Sequence, residues 1–264
     1  MSSSLIARKE NRSARTIRRE IDRLLAKPPE VKILVNRKVH LLIDGTFFKR
    51  TNCLILYYDN DLKYFNLLRY STGEKKIEIE DDLRKLKRAG VDVVSVTADG
   101  KEAIKAAVRR VFPKAEFQRC LVHIQRYGET YITQKPKTKA SLELQEIIRR
   151  LNTIDCHLAR MTWLSGFAEW KRVYGNFLKE RSYGETNWWY THRNLRRVTF
   201  HIDQALPDMW RYLDNKSIPK DTNALEGRFT DLKQKFKNHR GLKKEKRENY
   251  FNWYIYLKNL KKKN

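Results

Sequence analysis

The chain has 264 residues, with 57 Lys plus Arg against 31 Asp plus Glu and a formal net charge of +26. That excess is beyond what solubility requires and points to a polyanionic partner. With 41% hydrophobic residues, 11 Phe, 13 Tyr and 6 Trp, the chain can bury a core, which excludes a disordered basic tail; 10 Gly and 6 Pro exclude collagen-like and low-complexity sequence. Three cysteines (Cys53, Cys120, Cys156) cannot build a disulfide framework and suit a reducing interior. The N-terminal MSSSLIARKENRSAR lacks the apolar segment of a secretory signal, and no run approaches the ~18 apolar residues of a membrane span. A cytoplasmic or nucleoid-associated protein is expected.

In chain order, residues 1–38 are basic and hold one helical pattern, with Ile17, Ile21, Leu24 and Leu25 on one face, stopped at Pro28-Pro29. They read as an arm. From residue 39 the period becomes that of strands. Val39–Ile43 runs into Asp44-Gly45, Cys53–Tyr58 follows, and Tyr64–Leu68 comes after an Asp59-Asn60-Asp61 turn. A helix through Leu83 and Leu86 closes at Gly90. Val91–Val96 is a buried-type strand leading to Thr97-Ala98-Asp99-Gly100, then come a helix through Ile104, Ala107, Val108 and Val111 and a short strand at 116–118. Three meandering strands followed by helix, strand, helix and strand predict an α/β fold with a mixed sheet.

After Cys120 the pattern is helical for about a hundred residues by its period. Leu144, Ile148 and Leu151, then Leu164, Phe167 and Trp170, then Ile202, Leu206 and Met209 mark its helices. These predict a first α/β part at 39–126, an all-helical insertion at 127–216, and a second α/β part at 217–264. In that last part Thr222 or Asn223 is a natural helix cap, and Leu225, Phe229, Leu232 and Phe236 form one apolar stripe that His239-Arg240-Gly241 ends. The aromatic segment 250–257 is expected to pack back on the core.

The chemistry concentrates on three acids. Asp44 and Asp99 each end an apolar strand and each precede glycine, at the sheet edge where α/β folds place ligands. Read singly, Asp99 is a helix cap and Asp44 a turn residue. Glu226 lies one turn into its helix, where an acid also suits the helix dipole. Converging, three carboxylates offer the hard oxygen ligands of a pair of Mg²⁺ or Mn²⁺ ions ~3.5–4 Å apart, the arrangement that drives in-line phosphoryl transfer. Cys120-x2-His123 could be half of a zinc site with Cys156-His157, although the spacing is not that of a finger or ribbon; a packed thiol and a satisfied histidine are the plainer reading. Lys233, Lys237 and Arg240 crowd the end of the Glu226 helix, placed either to grip phosphates or as a solvated face. Trp188 and Trp189, beside Arg193 and Arg196, either pack inside the helical lobe or stack on a splayed base.

The ordered set LLIDGT (41–46), TADG (97–100), CLVH (120–123), TNALEG (222–227) and HRGL (239–242) resembles the bacterial and archaeal insertion-sequence transposases of the Mutator-like superfamily, over roughly residues 39–258. The resemblance implies an RNase H-like catalytic domain with a helical insertion before the glutamate. It implies Asp44, Asp99 and Glu226 as a DDE triad holding two Mg²⁺ (or Mn²⁺) ions, with Cys120 and His123 beside the site. It further implies cleavage and 3′-end strand transfer on double-stranded DNA, both transposon ends and target, by a dimer or higher assembly. Two other readings stay open: a catalytically silent or truncated descendant that only binds DNA, and a nuclease of the same fold that never joins ends.

Overall fold

The computed structural model describes residues 3–35, 38–48, 52–239 and 241–260. Near-continuous apolar runs in 39–58 make strands that are covered on both faces, as such runs require. β1 (Lys38–Phe47), β2 (Cys53–Asp59), β3 (Tyr64–Ser71), β4 (Asp92–Ala98) and β5 (Glu116–Arg119) form one sheet in the order β3-β2-β1-β4-β5. β1–β2 and β2–β3 are antiparallel, whereas β1–β4 and β4–β5 are parallel. The meander and the two crossovers are those predicted. β1, however, does not end at Asp44. Its pairing with β4 stops at Leu42, while its pairing with β2 continues through Asp44↔Leu56 to Phe47↔Cys53. Asp44 therefore stands where β1 outruns its parallel neighbour, still held by the hairpin on its other side.

Alternation sorts the strand residues onto two cores. On one face Leu41, Ile43, Ile55 and Val96 pack against α3 (Lys76–Arg88) and α4 (Glu102–Val111). Gly90, at φ 85°, ends the first of these helices as expected. On the other face Leu42, Leu54, Leu56 and Tyr58 meet the stripe Leu225, Phe229, Leu232 and Phe236 of α10 (Asn223–Phe236) together with Phe251 and Ile255 of α11 (Lys244–Leu260). The aromatic C-terminal segment thus packs back as predicted. The Glu226 helix stops at Phe236, three residues short of His239, and passes into a 3₁₀ turn over Lys237–His239.

The N-terminal arm contains two helices rather than one, α1 (Ser3–Lys9) and α2 (Ala14–Ala26), the second capped by the Ser13 hydroxyl. It is docked: the Trp253 indole N–H and the Asn249 amide of α11 donate to the Leu24 and Leu25 carbonyls at 2.8 and 2.7 Å.

A separate core occupies residues 121–218, built by α5 (Leu121–Ile132), α6 (Lys139–Arg149), α7 (His157–Tyr174), α8 (Arg193–Ala205) and α9 (Arg211–Asp214). Trp163 and Trp170 of α7 fill it and donate to the Ile147 and Ala140 carbonyls of α6 at 2.8 and 2.9 Å. This stretch is not wholly helical. Arg181–Tyr183 (β6) and Trp188–Tyr190 (β7) form an antiparallel hairpin. Among the described residues no helix is long and apolar enough to cross a membrane.

Phe251 is fully buried among Phe48, Tyr70 and Phe236. Phe251→Ala should lower unfolding free energy by about 3–5 kcal/mol, read as a shifted urea midpoint with an unchanged slope.

Candidate active site

Three elements bring the acids together. Asp44 comes from β1, Asp99 from the residue after β4, and Glu226 from the first turn of α10. α10 is brought there by the chain returning along the β4–β5 edge. The Thr97 hydroxyl donates to the Pro219 carbonyl at 2.7 Å, and the Leu121 amide donates to the Lys220 carbonyl at 3.1 Å. Cys120 completes the clasp. Its amide donates to the Ala98 carbonyl at 2.7 Å, and its buried sulfur accepts the Thr222 amide at 3.3 Å and lies 3.4 Å from the Thr222 hydroxyl. Thr222 is the residue that caps α10, but its side chain faces this sulfur rather than the helix amides. Burial pushes the Cys120 thiol up to about 11, against the Thr222 hydrogen bonds, so it is a neutral packing group. Cys120 thus sets the position of Glu226 from outside the site.

Asp44 is the electrostatic centre. It is 6% exposed, and burial pushes its carboxyl up to about 7. The Gly45 amide, donating to Oδ1 at 2.9 Å, works against that rise, while the charges of Asp99, Glu74 and Glu226 add to it. His123 Nε2 lies 3.9 Å from Asp44 Oδ1, and its Nδ1 is buried without a hydrogen-bond partner among the described residues. Burial holds this imidazole below its usual range, with the Asp99 and Glu226 charges opposing. His123 thus stands beside Asp44 and, with Nδ1 unpartnered among the described residues, is not the fully satisfied histidine of the plainer reading.

Three charged residues of this site escaped sequence reasoning. Glu74, in the turn before α3, packs its carboxylate against the backbone at Gly45, where any side chain would collide with it. Lys101 bonds Glu74 and reaches Asp99 Oδ2 at 2.9 Å. Arg126, one turn beyond His123 on α5, grips Glu226 with both terminal nitrogens, Nη2 lying 2.6 Å from Oε2. A signal for Lys101 was present: it occupies the N-cap of α4, where neither capping nor the helix dipole favours a cation. Arg126 falls three residues after His123, the spacing of one helix face. Nothing local marks Glu74.

The carboxylates are the oxygen donors that Mg²⁺ or Mn²⁺ takes. As they stand, Glu226 is closed onto Arg126 and Asp99 onto Lys101, and among the described residues no three His, Cys, Asp or Glu side chains form a ready-made metal cage. The Cys/His zinc set is likewise not gathered: Cys156 is exposed and caps α7, while His157 lies 3.5 Å from Asp214.

The remaining predicted residues fall outside this cluster. Lys233 and Lys237 are exposed at spacings of seven and eleven from Glu226, which places them on its face of α10 and the following turn. Arg240 lies outside the described residues. Trp188 and Trp189 are not core residues: they are 47% and 44% exposed on the hairpin. Cations replace burial there, since the Arg181 guanidinium lies 4.1 Å over the Trp188 ring and that of Arg196 3.6 Å over Tyr190. Arg196 also donates to the Leu178 carbonyl, so it braces the hairpin, whereas Arg193 is exposed at the start of α8.

Residues 68–180 match the model of the family described as Transposase, Mutator family. The matched span contains Glu74, Asp99, Lys101, Cys120, His123 and Arg126 and leaves Asp44 and Glu226 outside it. No curated protein matches the chain.

The raised Asp44 carboxyl has a thermodynamic consequence. Between its ordinary 3.8 and about 7, the folded state binds the proton more tightly than the unfolded chain, so stability falls as pH rises through that window. Asp44→Asn removes the buried charge. The variant should exceed the parent in unfolding free energy above pH 7, by at most about 4 kcal/mol, with the gap closing toward pH 4 in thermal melts.

Proposed function

From the match of residues 68–180 to the Mutator family of transposases, we propose that the chain catalyses DNA strand cleavage and 3′-end strand transfer at insertion-sequence ends, on an RNase H-like fold. What supports this reading is the placement of Asp44 on β1, Asp99 just after the adjacent parallel strand β4 and Glu226 in the first turn of α10, with the charges of Asp99 and Glu226 both acting on the buried Asp44, in a chain of net charge +26. Asp44, Asp99 and Glu226 would hold Mg²⁺ or Mn²⁺, which when bound supplies Lewis-acid activation of the attacking oxygen and charge neutralisation at the phosphoryl group.

The chain's own side chains do the rest. Phosphoryl transfer depends on positioning and charge balance. Arg126 and Lys101 already stand at Glu226 and Asp99 as counter-ions. Once those carboxylates are otherwise engaged, both cations are free to turn to the oxygens of a DNA phosphate. His123, neutral and 3.9 Å from Asp44, is placed to donate to or accept from a group at that carboxylate. Lys233 and Lys237 continue the basic track away from Glu226, and the exposed Trp188 and Trp189 offer ring faces for an unpaired base. Double-stranded DNA is the partner, engaged by two or more copies of the chain so that paired ends are held together.

Nicking and joining assays on DNA carrying the sequences that flank the coding region test the proposal. Asp44→Ala, Asp99→Ala and Glu226→Ala should each lower metal-dependent turnover by about 10³ or more and leave salt-sensitive DNA binding close to that of the parent. Retention of activity by all three would reject the triad. Cleavage without joining would mark a nuclease, and binding without cleavage a silent descendant. The double variant Lys233→Ala, Lys237→Ala should reduce the slope of log affinity against log salt by about 0.9 for each phosphate that is no longer neutralised.

A further inference from the structure

Beyond the acids, the chain carries a polar recess that shares only Arg126 with the proposed chemistry. It is a cleft of about 760 Å³ between α5 and α6, and every side chain lining it is polar. α5 and the residues just after it contribute Arg126, Thr130, Thr133 and Gln134, and α6 contributes Gln145 and Arg149. Arg126 joins this cleft directly to the catalytic cluster, because the same guanidinium binds Glu226. Arg149 is exposed and makes no ion pair among the described residues. Lys135 and Lys137 are exposed on the loop joining the two helices. The one carboxylate of the lining, Glu129, accepts a hydrogen bond from the Gln125 amide at 3.1 Å.

The chemistry of the walls restricts the occupant. No apolar side chain is offered to a hydrophobic ligand, and two guanidiniums, one from each helix, repel a cation and suit a phosphate. The volume is that of a site for a drug-sized molecule. A positively charged groove of this size suits a short stretch of a single strand, whose backbone such grooves track. The far side of the cleft is held by Thr133, a β-branched residue at φ 72°, whose carbonyl accepts from the Gln145 amide at 2.8 Å. Backbone of this kind persists only where its surroundings fix it.

We propose that this α5–α6 cleft binds the phosphodiester backbone of a single DNA strand leaving the acid cluster, with Arg149 as its phosphate contact. The inference rests on the transposase reading for its choice of DNA as the polyanion. Its test needs no turnover. The full chain is titrated, without divalent metal, with a fluorescent blunt duplex and with the same duplex bearing a short single-stranded extension, over a range of salt.

The parent chain should prefer the extended DNA. Arg149→Ala should reduce that preference about tenfold and lower the salt slope on the extended DNA by about 0.7, the value for one single-strand phosphate, while leaving the blunt duplex unaffected. Arg149→Lys should restore the slope. Thermal melts matching the parent confirm that both variants fold. Equal loss on both DNAs, unchanged binding to both, or no preference in the parent chain would each overturn the proposal. Because these are binding measurements, they separate from the triad assays: active Asp44, Asp99 and Glu226 variants would remove the catalytic reading and leave the extension-dependent binding to stand or fall alone.

Discussion

Four carboxylates share one small region of this protein, and the charge they bring together is what the surrounding structure must offset. Asp44 is buried at the centre, with Asp99, Glu226 and Glu74 all acting on it. Carboxylates that close repel one another, and burial sharpens the repulsion by withholding water. Two cations offset part of that charge: Lys101 between Glu74 and Asp99, and Arg126 across Glu226. Such an arrangement keeps an affinity for positive charge.

The geometry is maintained by groups that take no part in it. The Cys120 sulfur at Thr222, the Thr97 hydroxyl at Pro219 and the Leu121 amide at Lys220 tie the start of α10 to the β4–β5 edge. Beneath them, α10 is seated by Leu225, Phe229 and Leu232 on the sheet. Glu226 is consequently placed by packing on one side and by a hydrogen-bonded clasp on the other. The helical region has its own core, centred on Trp163, Phe167 and Trp170, so its outer surfaces are free to differ in chemistry. They do: an aromatic and arginine-rich hairpin stands at one place and an all-polar cleft at another.

Much of the fold is legible because burial leaves a period in the sequence. Runs such as Cys53–Tyr58 and the stripe from Leu225 to Phe236 show the strands and the helix they cover. Asp44, Asp99 and Glu226 stand out in the sequence because each follows an apolar run or opens an apolar stripe. The β6–β7 hairpin is not. Trp188-Trp189-Tyr190 has the composition of a core segment, and only the arginines stacked on its rings explain its exposure. The apolar run of β1 stops at Asp44, yet the β2 partner carries the strand on to Phe47. α1 leaves no mark, since a seven-residue helix presents too few apolar positions to show a period.

The amino-acid order alone determined the mixed sheet, the two helical stripes that cover it and the three acids at its edge, since each follows from residues close together in the chain. Only the tertiary structure decided which charges meet those acids. Glu74, Lys101 and Arg126 lie up to a hundred residues from their partners, and an ion pair, unlike a buried stripe, imposes no periodicity on the sequence between its members.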